Sequence, residues 1–174
     1  MEAGITALAD NPEASLSAIA DAAGVSRATL HRYFPDRQAL IDTISLQAIR
    51  ETDAAVHAID WEGMTSQEYL LAVFEVVIPL GDRYHVLSRA PLDAASDAVR
   101  EAHARQLRGV DTMVRWMARE GLLASKVPVA WAVLVIDALI YAAWTAVRDG
   151  TVAPRDAAAL ACRTCLRGLS ENAQ

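Results

Sequence analysis

The chain has 174 residues, 53% of them apolar, and a formal net charge of −6 at pH 7. That length and apolar share allow a sizeable core in one medium domain or two small ones. The acidic balance excludes a protein that coats nucleic acid with its whole surface, so any DNA contact must be local. The two cysteines are too few for a disulfide framework and no signal-peptide pattern opens the chain, so we expect a cytoplasmic protein.

The chain is predicted to be all-α, because strand signals are weak and Gly and Pro separate stretches rich in helix-forming residues. The expected helices cover residues 5–9, 16–23, 27–34, 37–58, 66–80 and 83–88, a long segment reaching residue 120 with an interruption near 98–101, and residues 129–148 and 154–169. The predicted N-caps are Ser15, Ser26, Asp36 and Thr65. We expect a head of short helices over residues 1–45 and a domain of long helices over residues 46–174.

Residues 127–147 are nearly all apolar and about as long as a membrane span. Asp137 lies within this stretch, and an ionised carboxylate inside a span is costly in lipid. Pro128 and several alanines also disfavour a membrane helix. We therefore expect a helix that is buried on two sides within a soluble protein.

Residues 24–37, GVSRATLHRYFPDR, concentrate arginine and rigid polar groups in an Ala- and Leu-rich chain. Two short helices joined by a glycine turn form a helix-turn-helix, with Gly24 in the turn and Ala20 at the helix crossing. Val25 and Leu30 are expected to face the core. The second helix then exposes residue types that contact bases and phosphates: Arg27, Ala28, Thr29, His31 and Arg32. The alternative is a surface helical hairpin with solvated arginines.

The segment LSAIADAAGVSRATLHRYFPDRQALI, residues 16–41, resembles the DNA-binding domain of TetR (tetracycline-repressor) family regulators. The matching positions are Ile19, Ala20, Ala23, Gly24, Val25, Ser26, Thr29, Leu30, Tyr33 and Phe34. The resemblance implies an N-terminal helix-turn-helix DNA-binding domain followed by a helical ligand-binding and dimerisation domain. It further implies that operator DNA, a small-molecule effector and a second copy of the chain are the partners.

The expected DNA contacts are Ser26, Arg27, Thr29, His31, Arg32, Tyr33 and Arg37. Arg37 stands where the family usually has a phosphate-binding lysine, and His31 replaces the usual tyrosine. That replacement alters sequence preference or makes binding pH-sensitive. In the family the first helix is normally longer and is preceded by a basic arm, whereas this chain begins at Met1 and has no Arg or Lys before Arg27. The first helix is therefore expected to be truncated relative to the family. Either the native start then lies upstream of Met1, or DNA binding is weak.

The second domain is expected to enclose a cavity for a small lipophilic ligand. Asp137, Tyr141 and Trp144 lie at helical spacing on one face, and a carboxylate among aromatic rings suits a cationic or hydrogen-bonding ligand. The alternative is that Asp137 pairs with a core arginine or caps a neighbouring group. Further candidates are Tyr69, Phe74, His103, Met113, Trp116 and Met117, and the alternative for each, which the pattern favours, is plain core.

The last helix is predicted to form a homodimer interface together with the helix before it. It carries residues at close-packing spacing: Ala157, Ala158, Ala161, Cys162, Cys165 and Leu169. The two cysteines form a C-x-x-C pair, which we expect to be buried and inert. The alternatives are redox sensing or a four-thiolate metal site across a two-fold axis. No cofactor and no metal are expected.

These features together predict a dimeric helix-turn-helix transcription regulator, a repressor that a small lipophilic ligand releases from operator DNA. The alternative is a ligand-binding or dimerising protein of the same fold with weak or lost DNA binding. An enzyme is not expected, because the chain contains no G-x-S-x-G, no phosphate-binding glycine loop, no H-E-x-x-H and no Rossmann fingerprint.

Overall fold

The computed structural model describes residues 5–8, 11, 14–81 and 92–170. Within these ranges the chain contains helices and no strand, which confirms the all-α prediction. Residues 5–8 are helical. The longer helices are α1 (Leu16–Ala22), α2 (Arg27–Tyr33), α3 (Arg37–His57), α4 (Ser66–Val77), α5 (Asp97–Arg119), α6 (Val129–Arg148) and α7 (Pro154–Leu169), with 3-10 turns at Ile78–Leu80 and Leu92–Ala94.

Each of the four predicted N-cap residues is the N-cap of a helix in the structure. In each case the side-chain oxygen accepts a hydrogen bond from the backbone N–H of the third helical residue, which satisfies a donor that the helix itself leaves unpaired; the caps are Ser15, Ser26, Asp36 and Thr65. Thr65 and Glu68 form a complete capping box. Cap chemistry is local, so it could be identified from the sequence.

Two helix boundaries differ from the prediction by more than one residue. The helix expected over residues 66–80 ends at Val77 and tightens into a 3-10 turn, because Pro79 has no N–H to continue the α-helical ladder. α5 begins at Asp97 with Ser96 as its N-cap, so the interruption falls at residues 95–96 and not at 98–101. The helix predicted over residues 83–88 lies outside the described residues.

One hydrophobic core contains residues from both ends of the described chain. α3 packs against α4 and α5, α5 against α6, and α7 against both α4 and α6. Phe74, Leu70 and Val114 have no exposed surface, and one continuous apolar cluster extends from Ile5 through the short helices to Leu169. Burial of each such large side chain contributes about 1.5–3 kcal/mol.

α3 connects the short helices to the long ones without a break. It runs for 21 residues and buries Leu40, Ile41 and Ile44 in the same core. The boundary that we predicted between residues 45 and 46 falls inside this helix. Motion of the head relative to the rest of the molecule must therefore move or bend α3.

The small residues of α7 that were predicted to meet a partner face this chain's own core. Ala157, Ala158, Ala161, Cys162, Cys165 and Leu169 are all buried, and α7 lies against α4 and α6. That residue-level prediction is wrong, because small side chains here allow close packing within one chain. Burial raises the pKa of Cys165 to about 12 and also raises the pKa of Cys162, so both thiols stay protonated at neutral pH.

Candidate nucleic-acid interface and ligand cavity

α1 and α2 meet at a glycine turn whose hydrogen bonds end α1. The N–H of Gly24 donates to Asp21 O at 3.1 Å, and the N–H of Val25 donates to Ala20 O at 3.0 Å. This is the Schellman pattern, and Gly24 takes the left-handed conformation with φ +66°. A side chain at this position would strain the backbone, so glycine sets the angle between the two helices.

α2 buries one residue in the core, and most of its surface faces solvent. Leu30 is buried, whereas Val25 is 39% exposed. The prediction that Val25 faces the core is wrong, because it lies in the turn ahead of the helix that carries Leu30 inward. Ser26 Oγ accepts from the N–H of Thr29 at 3.1 Å and lies 2.8 Å from Thr29 Oγ1. The N-terminus of α2 is therefore ordered before it meets any ligand.

The outer surface of α2 is basic and aromatic. Arg27, His31, Arg32 and Tyr33 are exposed, and α2 contains no acidic residue. The Arg32 guanidinium lies 5.0 Å from the centroid of the Tyr33 ring, and its Nη2 donates to Tyr33 Oη at 3.4 Å. This cation–π pair restricts both long side chains and creates a local positive patch on an acidic protein.

Arg37 has a partner inside the chain. It is half-buried at the start of α3, and its Nε donates to the backbone oxygen of Ala14 at 3.3 Å. This bond ties α3 to the segment ahead of α1. The sequence pattern did not indicate this positioning role, and a phosphate contact by Arg37 stays a prediction.

A cavity of about 600 Å³ lies among α3, α4, α5 and α6, a volume suited to a small organic ligand. α3 lines it from Gln38 to His57, so nearly the whole connecting helix forms one wall. Ile41, Val73 and Val110 are among its apolar lining residues.

Three aromatic side chains line the cavity: Tyr69, Tyr141 and Trp144. The rings of Tyr141 and Trp144 pack edge to face, with centroids 5.2 Å apart, and Trp144 Nε1 donates to Val77 O at 3.3 Å. Burial, with a smaller effect from the Asp137 carboxylate, raises the pKa of Tyr141 to about 12. Burial also raises the pKa of Tyr69. Both phenols are therefore neutral groups at physiological pH.

The polar lining contains two carboxylates with different partners on α5. Asp53 Oδ1 accepts a hydrogen bond from Gln106 Nε2 at 2.9 Å, and Gln106 Nε2 also donates to Thr52 Oγ1 at 2.6 Å. Asp137 Oδ1 lies 3.8 Å from His103 Nε2. The partner of Asp137 is thus a histidine and not the core arginine considered above.

Six of the nine predicted ligand residues line this cavity: Tyr69, His103, Met113, Asp137, Tyr141 and Trp144. Phe74, Met117 and Trp116 do not. Phe74 and Met117 are completely buried in the core. Trp116 packs on Tyr69 with ring centroids 5.8 Å apart and donates from Nε1 to Glu120 Oε1 at 2.6 Å. Helical spacing alone could not distinguish core residues from cavity-lining residues, because the core face and the cavity face adjoin on α4 and α5.

Several polar residues of the cavity were not predicted from the sequence, among them Asp53, His57 and Gln106. Asp53 and His57 are one turn apart on α3, and that spacing was the available signal because it places both side chains on one helix face. No comparable signal marks Gln106, whose importance comes from its contacts with a different helix.

An exposed basic helix behind a glycine turn, joined by one continuous helix to a cavity-bearing bundle, defines a helix-turn-helix transcription regulator. The sequence profile of "Bacterial regulatory proteins, tetR family" matches residues 12–44. The HTH-type transcriptional repressor LfrR of Mycolicibacterium smegmatis is 31% identical over 150 residues, which are 86% of this chain and 78% of the repressor. The chain belongs to the TetR family of bacterial transcription regulators, which are DNA-binding proteins and not enzymes.

Solved structures show the same fold. LfrR from Mycobacterium smegmatis in complex with proflavine has a TM-score of 0.72 and 29% identity, over 96% of this chain and 92% of that one. A TetR-family regulatory protein from Rhodococcus RHA1 has a TM-score of 0.79 and 18% identity, over 97% and 93% of the two chains. α6 is long and apolar enough to span a membrane, but it packs against α5 and α7 and buries Ala132, Ile136 and Trp144, so it is a helix of the bundle and not a membrane span.

Proposed function

We propose that this chain is a cytoplasmic, homodimeric repressor that leaves its operator when a small lipophilic ligand occupies the cavity. The observation that carries this proposal is the double role of α3. Three residues separate this helix from the end of α2, and it lines the cavity from Gln38 to His57. A ligand in the cavity therefore touches the same rigid element that holds the recognition helix.

The DNA contacts that we propose are made by the outer surface of α2. Arg27 and Arg32 supply positive charge for phosphates or guanine edges, and Thr29 and His31 supply smaller polar contacts. Tyr33, which is 66% exposed, holds Arg32 in place through the ring contact described above. Ser26 and Arg37 act at the edges of this surface, where they order the helix ends.

We propose a planar aromatic cation as the effector class. Tyr69, Tyr141 and Trp144 offer ring faces and edges, and Asp53 and Asp137 offer negative charge beside them. A buried cation needs such a carboxylate, because desolvation of an unpaired charge is costly. The related repressor LfrR, solved in complex with proflavine, supports the same class.

The proposed release mechanism is a shift between two positions of α3. Two recognition helices bind half-sites about 34–36 Å apart only when the heads of the dimer are correctly spaced. A ligand that fits the cavity better in another α3 position shifts the population by its difference in affinity between the two states. Release therefore requires differential binding and not merely tight binding.

The first experiment selects DNA duplexes from a random pool and measures their binding by fluorescence anisotropy at two salt concentrations. We expect sequence-selective, salt-sensitive binding that Arg32→Ala weakens by about tenfold or more. Arg155→Ala is the matched control, since Arg155 is a highly exposed arginine at the start of α7, outside the helix-turn-helix. The same duplex then reports release on addition of proflavine.

Selective binding that Arg32→Ala weakens and Arg155→Ala leaves unchanged would support the proposal. A folded protein without selective binding would favour a ligand-binding member of the fold with weak or lost DNA binding. Selective binding that proflavine does not affect would leave the DNA contacts in place and overturn the proposed effector class.

A further inference from the structure

We propose that Asp53 and Gln106 form a hydrogen-bonding site in the cavity, which selects aromatic cations with N–H donors over cations whose amino groups are alkylated. This inference rests on the proposed effector class and names the groups that select within it. Both side chains line the cavity and are half-buried, Asp53 on α3 and Gln106 on α5. The site therefore combines a negative charge with hydrogen-bond acceptors at one place in the cavity wall.

The amide of Gln106 is held in one orientation. Its Nε2 lies 2.6 Å from Thr52 Oγ1, 2.9 Å from Asp53 Oδ1 and 3.4 Å from Ile49 O, and all three atoms are acceptors on α3. Thr52 is buried, and its hydroxyl donates to Ala48 O at 3.0 Å, which leaves its lone pairs for Gln106. The NH₂ end of the amide thus faces α3, and the carbonyl end faces away from these acceptors.

Two acceptors at this site have no donor among the described residues. Gln106 Oε1 accepts no hydrogen bond from them, and Asp53 accepts through Oδ1 but not through Oδ2. Within the same ranges no arginine or lysine forms an ion pair with Asp53, although Arg105 also lines the cavity. A half-buried carboxylate with a neutral partner gains most from a ligand that brings both positive charge and N–H groups.

Asp137 supplies charge to the cavity without this arrangement of acceptors. Its Oδ1 lies 3.8 Å from His103 Nε2, beyond hydrogen-bond distance, and no described residue donates to the carboxylate. The hydrogen bond from Gln106 fixes the direction of the Asp53 lone pairs, and a fixed acceptor loses less side-chain entropy when a ligand binds. We therefore expect Asp137 to attract any cation, and Asp53 with Gln106 to discriminate by N–H groups.

The ligand can take an Asp53 oxygen at little cost to the protein. The Gln106 NH₂ has two hydrogens and three acceptors within reach, so it keeps partners on α3 after one of them turns to the ligand. An alkylated cation keeps the attraction of charge but leaves the carboxylate and the amide oxygen without donors. A hydrogen bond to a charged group is strong enough to make this difference about tenfold in Kd.

The test compares two fluorescent dyes that share a three-ring core and are both monocations at neutral pH. Proflavine carries two NH₂ groups, and acridine orange carries dimethylamino groups in their place. The Kd of each dye is measured by fluorescence titration without DNA, at dye concentrations too low for self-association. The proteins are the wild type, Asp53→Asn, Gln106→Met, Asp137→Asn and Gln47→Met. Gln47→Met is the matched control, because the Gln47 amide binds the Glu51 carboxylate within α3 and outside the cavity.

We expect the wild type and Gln47→Met to bind proflavine about tenfold more tightly than acridine orange. Asp53→Asn and Gln106→Met should bring this ratio close to one, whereas Asp137→Asn should weaken both dyes and leave the ratio unchanged. Partial unfolding of a variant lowers the binding of both dyes together, so the ratio still reports selectivity.

Equal affinity of the wild type for the two dyes would overturn the inference and leave the effector class intact, and this result does not depend on the folding of any variant. A ratio that stays at the wild-type value in Asp53→Asn or in Gln106→Met would overturn it as well, since the methyl groups would then be excluded by their size alone. Failure of both dyes to bind the wild type would overturn the effector class and the inference together.

Discussion

Gly81 and Trp144 show how closely the cavity wall is packed at the scale of single residues. A Cβ added at Gly81 would lie 2.1 Å from Trp144 Cδ1 and 2.4 Å from Cγ, which is far inside van der Waals contact. The indole itself is held by its hydrogen bond to Val77 O and by the edge contact with Tyr141. The ring cannot move without losing these contacts, so Gly81 is needed for space and not for an unusual backbone conformation.

We expect Gly81→Ala to lower the free energy of unfolding by about 1–3 kcal/mol, the usual cost of overpacking, and to weaken proflavine binding because Trp144 lines the cavity. Gly109→Ala is the matched control for stability only, because Gly109 lines the cavity. No atom lies within 4 Å of a Cβ added at Gly109 in α5, so alanine there should stabilise the helix by about 0.5–1 kcal/mol. Urea denaturation followed by circular dichroism measures both changes, and equal stability of Gly81→Ala and the wild type would contradict the packing described here.

At the scale of helices, Glu120 joins the end of α5 to the start of α4. Its Oε2 accepts from the N–H and the hydroxyl of Ser66 at 2.9 and 2.7 Å, and its Oε1 accepts from Trp116 Nε1. These hydrogen bonds, chiefly those from Ser66, hold the pKa of Glu120 below its ordinary value. The carboxylate thus satisfies two donors of the buried Ser66 at the start of α4, in addition to the capping box of Thr65 and Glu68.

Because the pKa of Glu120 is lower in the folded chain, its contribution to stability is present above the ordinary glutamate pKa and is lost as the pH falls through the folded value. We expect Glu120→Gln to lower the melting temperature at neutral pH and to converge with the wild type in acid. Glu101→Gln, which changes an exposed carboxylate on the same helix, should change little. Melting curves at several pH values test this, and a deficit that is constant with pH would show that the charge of Glu120 is unimportant.

At the scale of the whole molecule, the outer faces of α6 and α7 leave apolar surface uncovered. Trp131 and Leu134 on α6 are 59% and 56% exposed, and Leu160 on α7 is 39% exposed. Ala138 and Ala142 continue the exposed apolar stripe of α6 at four-residue spacing. Contiguous apolar surface on a soluble protein indicates an interaction site, and we propose that this stripe, not the buried alanine face of α7, forms the homodimer interface.

We expect Trp131→Arg to convert a dimer into a monomer, because an arginine buried at a two-fold interface brings two like charges together without partners. Trp61→Arg is the matched control, since Trp61 is equally exposed at 63% but lies between α3 and α4. Sedimentation velocity at micromolar concentration distinguishes the two masses. A wild type that sediments as a monomer, or a Trp131→Arg variant that stays dimeric, would contradict this assignment.

The local signals of this sequence determined the helices, their caps and the helix-turn-helix. Ser26 as a cap and Gly24 as a left-handed turn act within a few residues, so their effects do not depend on the rest of the fold. The match of the residues around Gly24 to the TetR pattern then indicated a family whose members bind DNA, and the comparisons confirmed it.

Only the tertiary structure decided which side of each long helix faces the core, the cavity or solvent. The apolar residues of α6 run nearly all round this helix, so periodicity could not decide which of Ile136, Leu134 and Trp144 belongs to the core, the exposed surface or the cavity wall. The same holds for His103 and Asp137, which are 34 positions apart in the sequence. Their meeting depends on how α5 crosses α6, and that crossing results from packing along whole helices and not from any local pattern.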